Sequence, residues 1–238
     1  SGSGASSVEG INFKAMKGQT IGVIGGTGSG KSSLVNLIPR LYDATQGEVL
    51  VDGVNVKDYD IEALRNKVGI VMQKAVLFKG TIRENMWMGK KGATDEQIDE
   101  ALEISQSKEF VDSKQGRLDY VIEQGGKNLS GGQRQRLTIA RAIVRKPDVL
   151  ILDDSASALD FATDAALRKA IRGMNNSPTV FIVSQRAASL MYADLIIVLD
   201  DGQVAGMGTH DELLANCEVY KEIYESQFKK ADSEGGVA

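Results

Sequence analysis

The stretch GGTGSGKS at 25–32 limits what this chain can fold into more than any other. It fits the pattern G-x-x-x-x-G-K-[ST], and it lies between the apolar run TIGVIG (20–25) and the helical pattern KSSLVNLIPRL. Strand, glycine-rich turn and helix in that order make an anion cradle. Glycines let backbone N–H groups close around phosphate oxygens, and the helix start adds its positive end. Gly25, Gly26, Thr27, Gly28, Ser29 and Gly30 form the loop, and Lys31 can reach the terminal phosphates of a nucleotide. Ser32 offers a hydroxyl to Mg2+, and Ser33 completes the binding set.

Further apolar runs rich in Val and Ile follow: EVLVDG (48–53), KVGIVMQ (67–73), DVLILDD (148–154), TVFIVSQ (179–185) and ADLIIVLDDGQVAGMG (193–208). Continuous runs of this length suit buried parallel strands. Asp201-Gly202 in the last run fits a tight hairpin, so an antiparallel edge is expected there. Between the runs, DEQIDEALEISQSKEFVDS places apolar residues at 98, 101, 102 and 104 on one helical face. GGQRQRLTIARAIVRK turns Leu137, Ile139, Ala140 and Ile143 inward and its Arg and Gln residues mostly outward. THDELL opens a helix with a capping box of Thr209 and Glu212. The alternation predicts an α/β fold with a mainly parallel sheet, antiparallel edge strands and a helical subdomain inserted at roughly 81–145.

VLILDDSASALD (149–160) is an apolar strand ending in acid, and Asp153 at its end is placed to be a second metal-site carboxylate. The formal charge of −4 argues against a nucleic-acid partner. A lone cysteine, Cys217, rules out an intrachain disulfide framework. No apolar run reaches the roughly 18 residues a membrane span needs.

LSGGQRQRLTIARAIVRKPDVLILDDSASALD (129–160) resembles the signature of ABC transporter ATPase domains, and the resemblance covers nearly the whole chain as one domain, 1–238. It implies a P-loop NTPase of ABC type that binds ATP with Mg2+. It implies that Ser130, Gly131, Gly132 and Gln133 contact the γ-phosphate of an ATP held by a second such domain, in a head-to-tail dimer. Gln73 resembles the glutamine that senses Mg2+, so the implied metal set is Ser32, Gln73 and Asp153. SALD (157–160) resembles the loop whose aspartate, Asp160, reaches across the dimer. LFKGTIRENMWMG (77–89) resembles the exporter version of this region. The implied partners are a second ATPase domain and the transmembrane domains of an exporter, at the cytoplasmic face of the plasma membrane.

Three positions depart from that family. Asp154 stands where it has the catalytic glutamate, Gln185 where it has the switch histidine, and Gln124 of YVIEQGG (120–126) where exporters carry a glutamate. Asp is shorter than Glu by one methylene, which retracts the carboxylate by about 1.5 Å. A misplacement of about 1 Å can cost roughly 10²-fold in rate. Gln185 can hydrogen-bond but cannot carry an imidazolium charge. The chain therefore reads as the degenerate-site ATPase domain of a heterodimeric exporter, its intact signature completing the partner's site. An active homodimer and a non-transport ABC ATPase are the alternatives.

Other conspicuous residues read as structural. His210 is taken as a solvated first-turn histidine, and Arg134, Arg136 and Arg141 as a solvated or ion-paired stripe. Cys217 is taken as a buried or neutral helix residue. Trp87 and Met88 divide between core packing and a docking groove. Phe13 in INF reads as part of a packed strand, and the aromatic that stacks adenine in the family is expected upstream, together with a transmembrane domain. SGSGASS at the start reads as an appended or native loop, and KKADSEGGVA as a frayed end.

Overall fold

The computed structural model describes residues 8–155 and 158–234. SGSGASS, Ser157 of the SALD loop and the last part of the tail (235–238) lie outside them. In chain order the elements are β1 (Thr20–Gly25), α1 (Lys31–Asn36), β2 (Leu50–Val51), β3 (Val54–Asn55), α2 (Ile61–Lys67), β4 (Val68–Val71), β5 (Gly80–Thr81), α3 (Ile82–Trp87), α4 (Asp95–Ile104) and α5 (Lys108–Asp112). They continue as β6 (Val121–Ile122), α6 (Gly131–Ile143), β7 (Val149–Asp153), α7 (Phe161–Arg172), β8 (Thr179–Val183), β9 (Leu195–Asp200), β10 (Gln203–Gly208), α8 (His210–Asn216) and α9 (Glu218–Glu234). The chain divides into two compact units, one from the segments before Arg65 and after Pro178, the other Arg65–Pro178.

In the first unit the strand order is β10-β9-β1-β8. β1 pairs in parallel with β8 (Thr20↔Val180) and β9 (Ile21↔Leu195), and all its residues are buried. β10 returns antiparallel to β9 through Asp201 and Gly202, whose positive φ values of 44° and 79° make the expected tight turn. EVLVDG departs from expectation. Asp52-Gly53, with φ of 52° and 77°, folds it into the small hairpin β2–β3, and Leu50 is exposed. The second Asp-Gly pair thus makes the same kind of turn as the first, and the run is no buried parallel strand.

The same unit corrects two other readings. His210 is not simply solvated. It opens α8, its Nδ1 is 2.8 Å from the Tyr220 hydroxyl, and its ring packs against Tyr220 and Tyr224. Tyr220 is fully buried, and that burial pushes its phenol up to about 12. INF is not a ladder strand; Phe13 instead meets Phe181 edge-on at 6.2 Å. Cys217 is buried, as expected, against the β10 bulge at Gly206. The tail is helical through Glu234, further than a frayed end from 229 would allow.

In the second unit β4 and β7 pair in parallel, Val68↔Val149 to Val71↔Leu152. α6 buries Leu137, Ile139, Ala140 and Ile143 as its periodicity predicts, and also Gln135 and Thr138. The single helix expected from 95 onward breaks into α4 and α5, with Gln106 in left-handed backbone (φ 60°) at the break. Ile98, Ala101 and Leu102 are buried, while Ile104 is only half-buried. Capping boxes at Thr81/Glu84 and Thr94/Gln97 start α3 and α4. The helical subdomain expected at 81–145 lies inside this unit, which also takes in β4, β7 and α7.

α3 ends where its chain crosses α6 at closest approach. A Cβ on Gly89 would lie 2.0 Å from the Arg141 carbonyl oxygen and 2.9 Å from Val144. Gly89→Ala should therefore push α3 off α6 and destabilise the second unit by about 1–3 kcal/mol, the usual penalty of overpacking. Chemical denaturation read against the unaltered chain checks this; an unchanged midpoint would show that the backbones separate at no cost.

Candidate nucleotide site

The phosphate loop leaves β1 in the first unit. Gly25 is there for sterics: a Cβ would lie 2.1 Å from the Leu199 carbonyl oxygen and 2.6 Å from Ser29 Oγ. Only glycine lets the strand end press against β9 and turn. Gly28 and Gly30 take left-handed backbone (φ 83° and 92°), and Gly30 occupies the N-cap of α1 with no side-chain cap. The first amides of α1 are thus not satisfied by a side chain. Gly26, Thr27, Gly28 and Ser32 are exposed, while Gly25, Ser29 and Lys31 are buried. The Lys31 ammonium donates to the carbonyls of Gly25 (2.9 Å) and Gly26 (2.6 Å). A buried cation beneath an exposed rim of glycine amides fits a polyphosphate, and the Ser32 hydroxyl is placed on the open side.

Gln185 belongs to the same unit. β8 runs beside β1 (Val23↔Val183), and the Ser184 amide donates to the Val23 carbonyl at 3.1 Å. That pairing brings Gln185, exposed, to the same end of the strands as the loop, where parallel sheets bind ligands.

In the second unit, Gln73 and Asp153–Asp154 leave the ends of paired strands, since Val71 lies opposite Leu152. Asp153 is buried. Asp154 turns the backbone with φ of 46°, a left-handed conformation that Asp tolerates better than most residues. Its Oδ2 accepts a hydrogen bond from the Gln73 side-chain amide at 3.1 Å. Gln73 and Asp153, both in this unit, carry oxygen atoms of the hard kind that Mg2+ prefers.

The signature residues start α6. Ser130 is its N-cap, accepting from the Gln133 amide (3.2 Å) while the Gln133 side chain accepts from the Ser130 amide (3.1 Å). LSGGQ is thus also a capping box, which gives Ser130 and Gln133 a local structural task. Gly131 and Gly132 form the first turn, and a Cβ on Gly132 would lie 3.3 Å from the Ala158 carbonyl oxygen. Asp160 caps α7, accepting from the Thr163 amide (2.9 Å) and hydroxyl (2.7 Å). These bonds hold its carboxyl below the usual range. Gln124 begins a helical turn whose Gly125 amide donates to the Leu77 carbonyl at 3.1 Å.

The arginines of α6 were expected as a solvated or ion-paired stripe, and they are neither. Arg134 donates to the Leu129 carbonyl (2.8 Å), Arg136 to Gln106 (2.6 Å) and Arg141 to Val76 (2.9 Å). Arg145, which sequence reasoning passed over, donates to Gly89 (3.0 Å) and Arg65 (2.6 Å). Burial holds Arg136, Arg141 and Arg145 below the ordinary arginine value. The signature helix thereby tethers the segments after Gln73 and before Leu129 by their backbones. No sequence signal separates an arginine bound to carbonyls from one in solvent. Beside this tether, Val76, Phe78, Trp87 and Met88 are exposed, so Trp87 and Met88 do not belong to the core.

A family model described as ABC transporter matches residues 8–157. The chain belongs to the ABC transporter ATP-binding family. It is 45% identical over 224 residues to the Bacillus subtilis (strain 168) uncharacterized ABC transporter ATP-binding protein YfiB, covering 94% of this chain and 39% of that protein. It is 40% identical over 217 residues to a putative multidrug export ATP-binding/permease protein of Staphylococcus aureus (strain NCTC 8325 / PS 47), covering 91% of this chain and 38% of that protein. A bacterial Atm1-family ABC exporter with ATP bound superposes with a TM-score of 0.88 at 32% identity, over 93% of this chain and 39% of that one. The chain spans about two fifths of the length of these relatives. The fold is accordingly the α/β P-loop type of ABC ATPases, with a mainly parallel sheet, antiparallel edge strands and a helical subdomain.

Removing the buried cation tests the loop directly. Lys31→Ala should weaken MgATP binding by about 10- to 100-fold, the worth of roughly 1.5–3 kcal/mol of charge-assisted hydrogen bonding. Titration calorimetry measures it, and unchanged affinity would place the phosphates elsewhere.

Proposed function

We propose that this chain is the ATP-binding domain of an ABC exporter, and that it is the half whose own site hydrolyses little. It binds MgATP and pairs head-to-tail with the ATPase domain of a different subunit. Its phosphate loop holds one ATP, and its Ser130, Gly131, Gly132 and Gln133 complete the site on the partner. The relatives' naming as exporters supports the transport role, at the cytoplasmic face of a membrane and attached to transmembrane domains.

The observation that carries the degenerate reading is the state of Asp154. Its carboxylate is short, its backbone is left-handed, and it accepts the Gln73 amide at 3.1 Å. A general base must reach the proton it abstracts within hydrogen-bond distance, and losing that reach costs about 10²–10⁴-fold. Gln185 adds no proton-carrying group at the switch position. Ser32, Asp153 and Gln73 are the residues that would hold Mg2+, which would supply positive charge against the phosphates. Lys31 and the loop amides orient the phosphates, and Gln73 would have to trade Asp154 for the metal.

Asymmetry in the assembled transporter tests the proposal. Asp154→Ala should leave turnover within about twofold, because this site contributes little. Ser130→Arg should abolish turnover, because it puts a long side chain where the partner's γ-phosphate would bind. Ser130→Arg also removes the cap of α6, as Gly132→Asp would crowd Ala158, so the variant's denaturation midpoint is read beside its turnover to show that it is folded. ATPase assays on the reconstituted pair compare the two. If Asp154→Ala stops turnover, the chain is an active subunit and the homodimer reading replaces this one.

A further inference from the structure

The segment after β8 is anchored at both ends. Ser184 is bonded to β1, and Leu190, fully buried, packs over Gly22, whose Cβ would lie 3.2 Å from it. Within the segment, the Ser184 hydroxyl accepts from the Arg186 amide (2.9 Å), and a helical turn follows at Ala187–Ser189. Between these anchors a side chain of α9 holds the backbone from outside. The Gln227 amide nitrogen of α9 donates to the Gln185 carbonyl at 2.7 Å, and its oxygen accepts from the Ala187 amide at 2.9 Å.

This is the pairing a strand residue makes, bonding one carbonyl and the amide two residues on. Here a primary amide replaces the missing strand. Only one orientation of that amide satisfies both partners, so its oxygen and nitrogen are assigned by the contacts themselves. The residue type is specific too. Glu could accept from Ala187 but would set an acceptor against the Gln185 carbonyl. Leu fills the space and bonds neither, and Asn is one methylene short. α9 in turn is seated by Tyr220, buried at its start and bonded to His210.

We infer that Gln227 is a positioning residue for the switch segment: it fixes the backbone of residues 185–187 and thereby aims the Gln185 side chain. The C-terminal helix then becomes part of the nucleotide response, although it supplies no group to the ligand. The inference rests on the reading of Gln185 as the switch position that faces the γ-phosphate.

The full 238-residue chain is compared as Gln227→Leu, Gln227→Glu, Gln185→Ala and, as a control on the same helix, Ser226→Ala, whose hydroxyl bonds only within α9 (Ile223 carbonyl, 2.9 Å). Two quantities are read: hydrogen exchange across 184–190, and the ratio of ATP to ADP affinity. Gln227→Leu should speed exchange at the Ala187 amide by about tenfold, since one hydrogen bond is lost there. Its ADP affinity should stay as in the parent, and its ATP-to-ADP ratio should fall to the Gln185→Ala value. Gln227→Glu should keep Ala187 protected and still lose the ratio. Unchanged exchange at Ala187 in Gln227→Leu overturns the clamp, as does equal loosening by Ser226→Ala. A ratio that falls in Gln185→Ala but not in Gln227→Leu overturns the positioning role while leaving the switch reading intact. If Gln185→Ala itself leaves the ratio unchanged, the switch reading fails and the role falls with it, and exchange at Ala187 alone then reports on the clamp.

Discussion

The first unit depends on one close approach, the end of β1 against the end of β9. Gly25 sits with its α-carbon hydrogens facing the Leu199 carbonyl, where any side chain would overlap it. β1 is also paired on both edges, with β8 and β9, and is buried along its whole length. A strand so confined cannot shift register without breaking the ladders on both of its edges. The loop that follows inherits that rigidity. Its geometry is set before any ligand arrives, which is what a phosphate cradle requires.

Much of this was legible in the chain. Apolar runs marked β1, β4, β7, β8 and β9, and Asp201-Gly202 marked the hairpin. Asp52-Gly53 carries a turn signal of equal strength, but it stands at the end of an apolar run that reads as a strand. The capping boxes at Thr81 and Thr94 were also readable, since both follow the T-x-x-E/Q pattern. The break at Gln106 left only a faint mark: the apolar positions stop at Ile104 and resume at Phe110 and Val111, and Gln itself gives no warning of left-handed backbone.

The candidate site divides similarly. Glycine spacing announced the loop because glycine is demanded by geometry. The roles of Gln227 and of the α6 arginines were invisible, because both act on backbone groups, which carry no residue label. The Gln73–Asp154 bond was hidden for another reason. Each residue was identified by position, but only paired strands show that the two side chains meet.

The carbonyl-bound arginines have a consequence in acid. Around α4 and α5 the loops are tied by ion pairs, Arg83 with Asp95 and Asp119, and Arg117 with Asp99 and Asp112. A hydrogen bond from Arg83 holds Asp95, and hydrogen bonds from Lys108 and then Arg117 hold Asp112, below the usual carboxylate range. Their contribution is present above the unfolded-chain value and vanishes as pH falls through the lowered one. Arg136, Arg141 and Arg145 bind carbonyl oxygens, which take up no proton in that range. Acidification would therefore soften the rim of the helical region first, while the tethers around the signature helix stay fastened. Added salt would discriminate in the same direction, since it screens attraction between two exposed charges more than a short bond from a guanidinium to a neutral carbonyl.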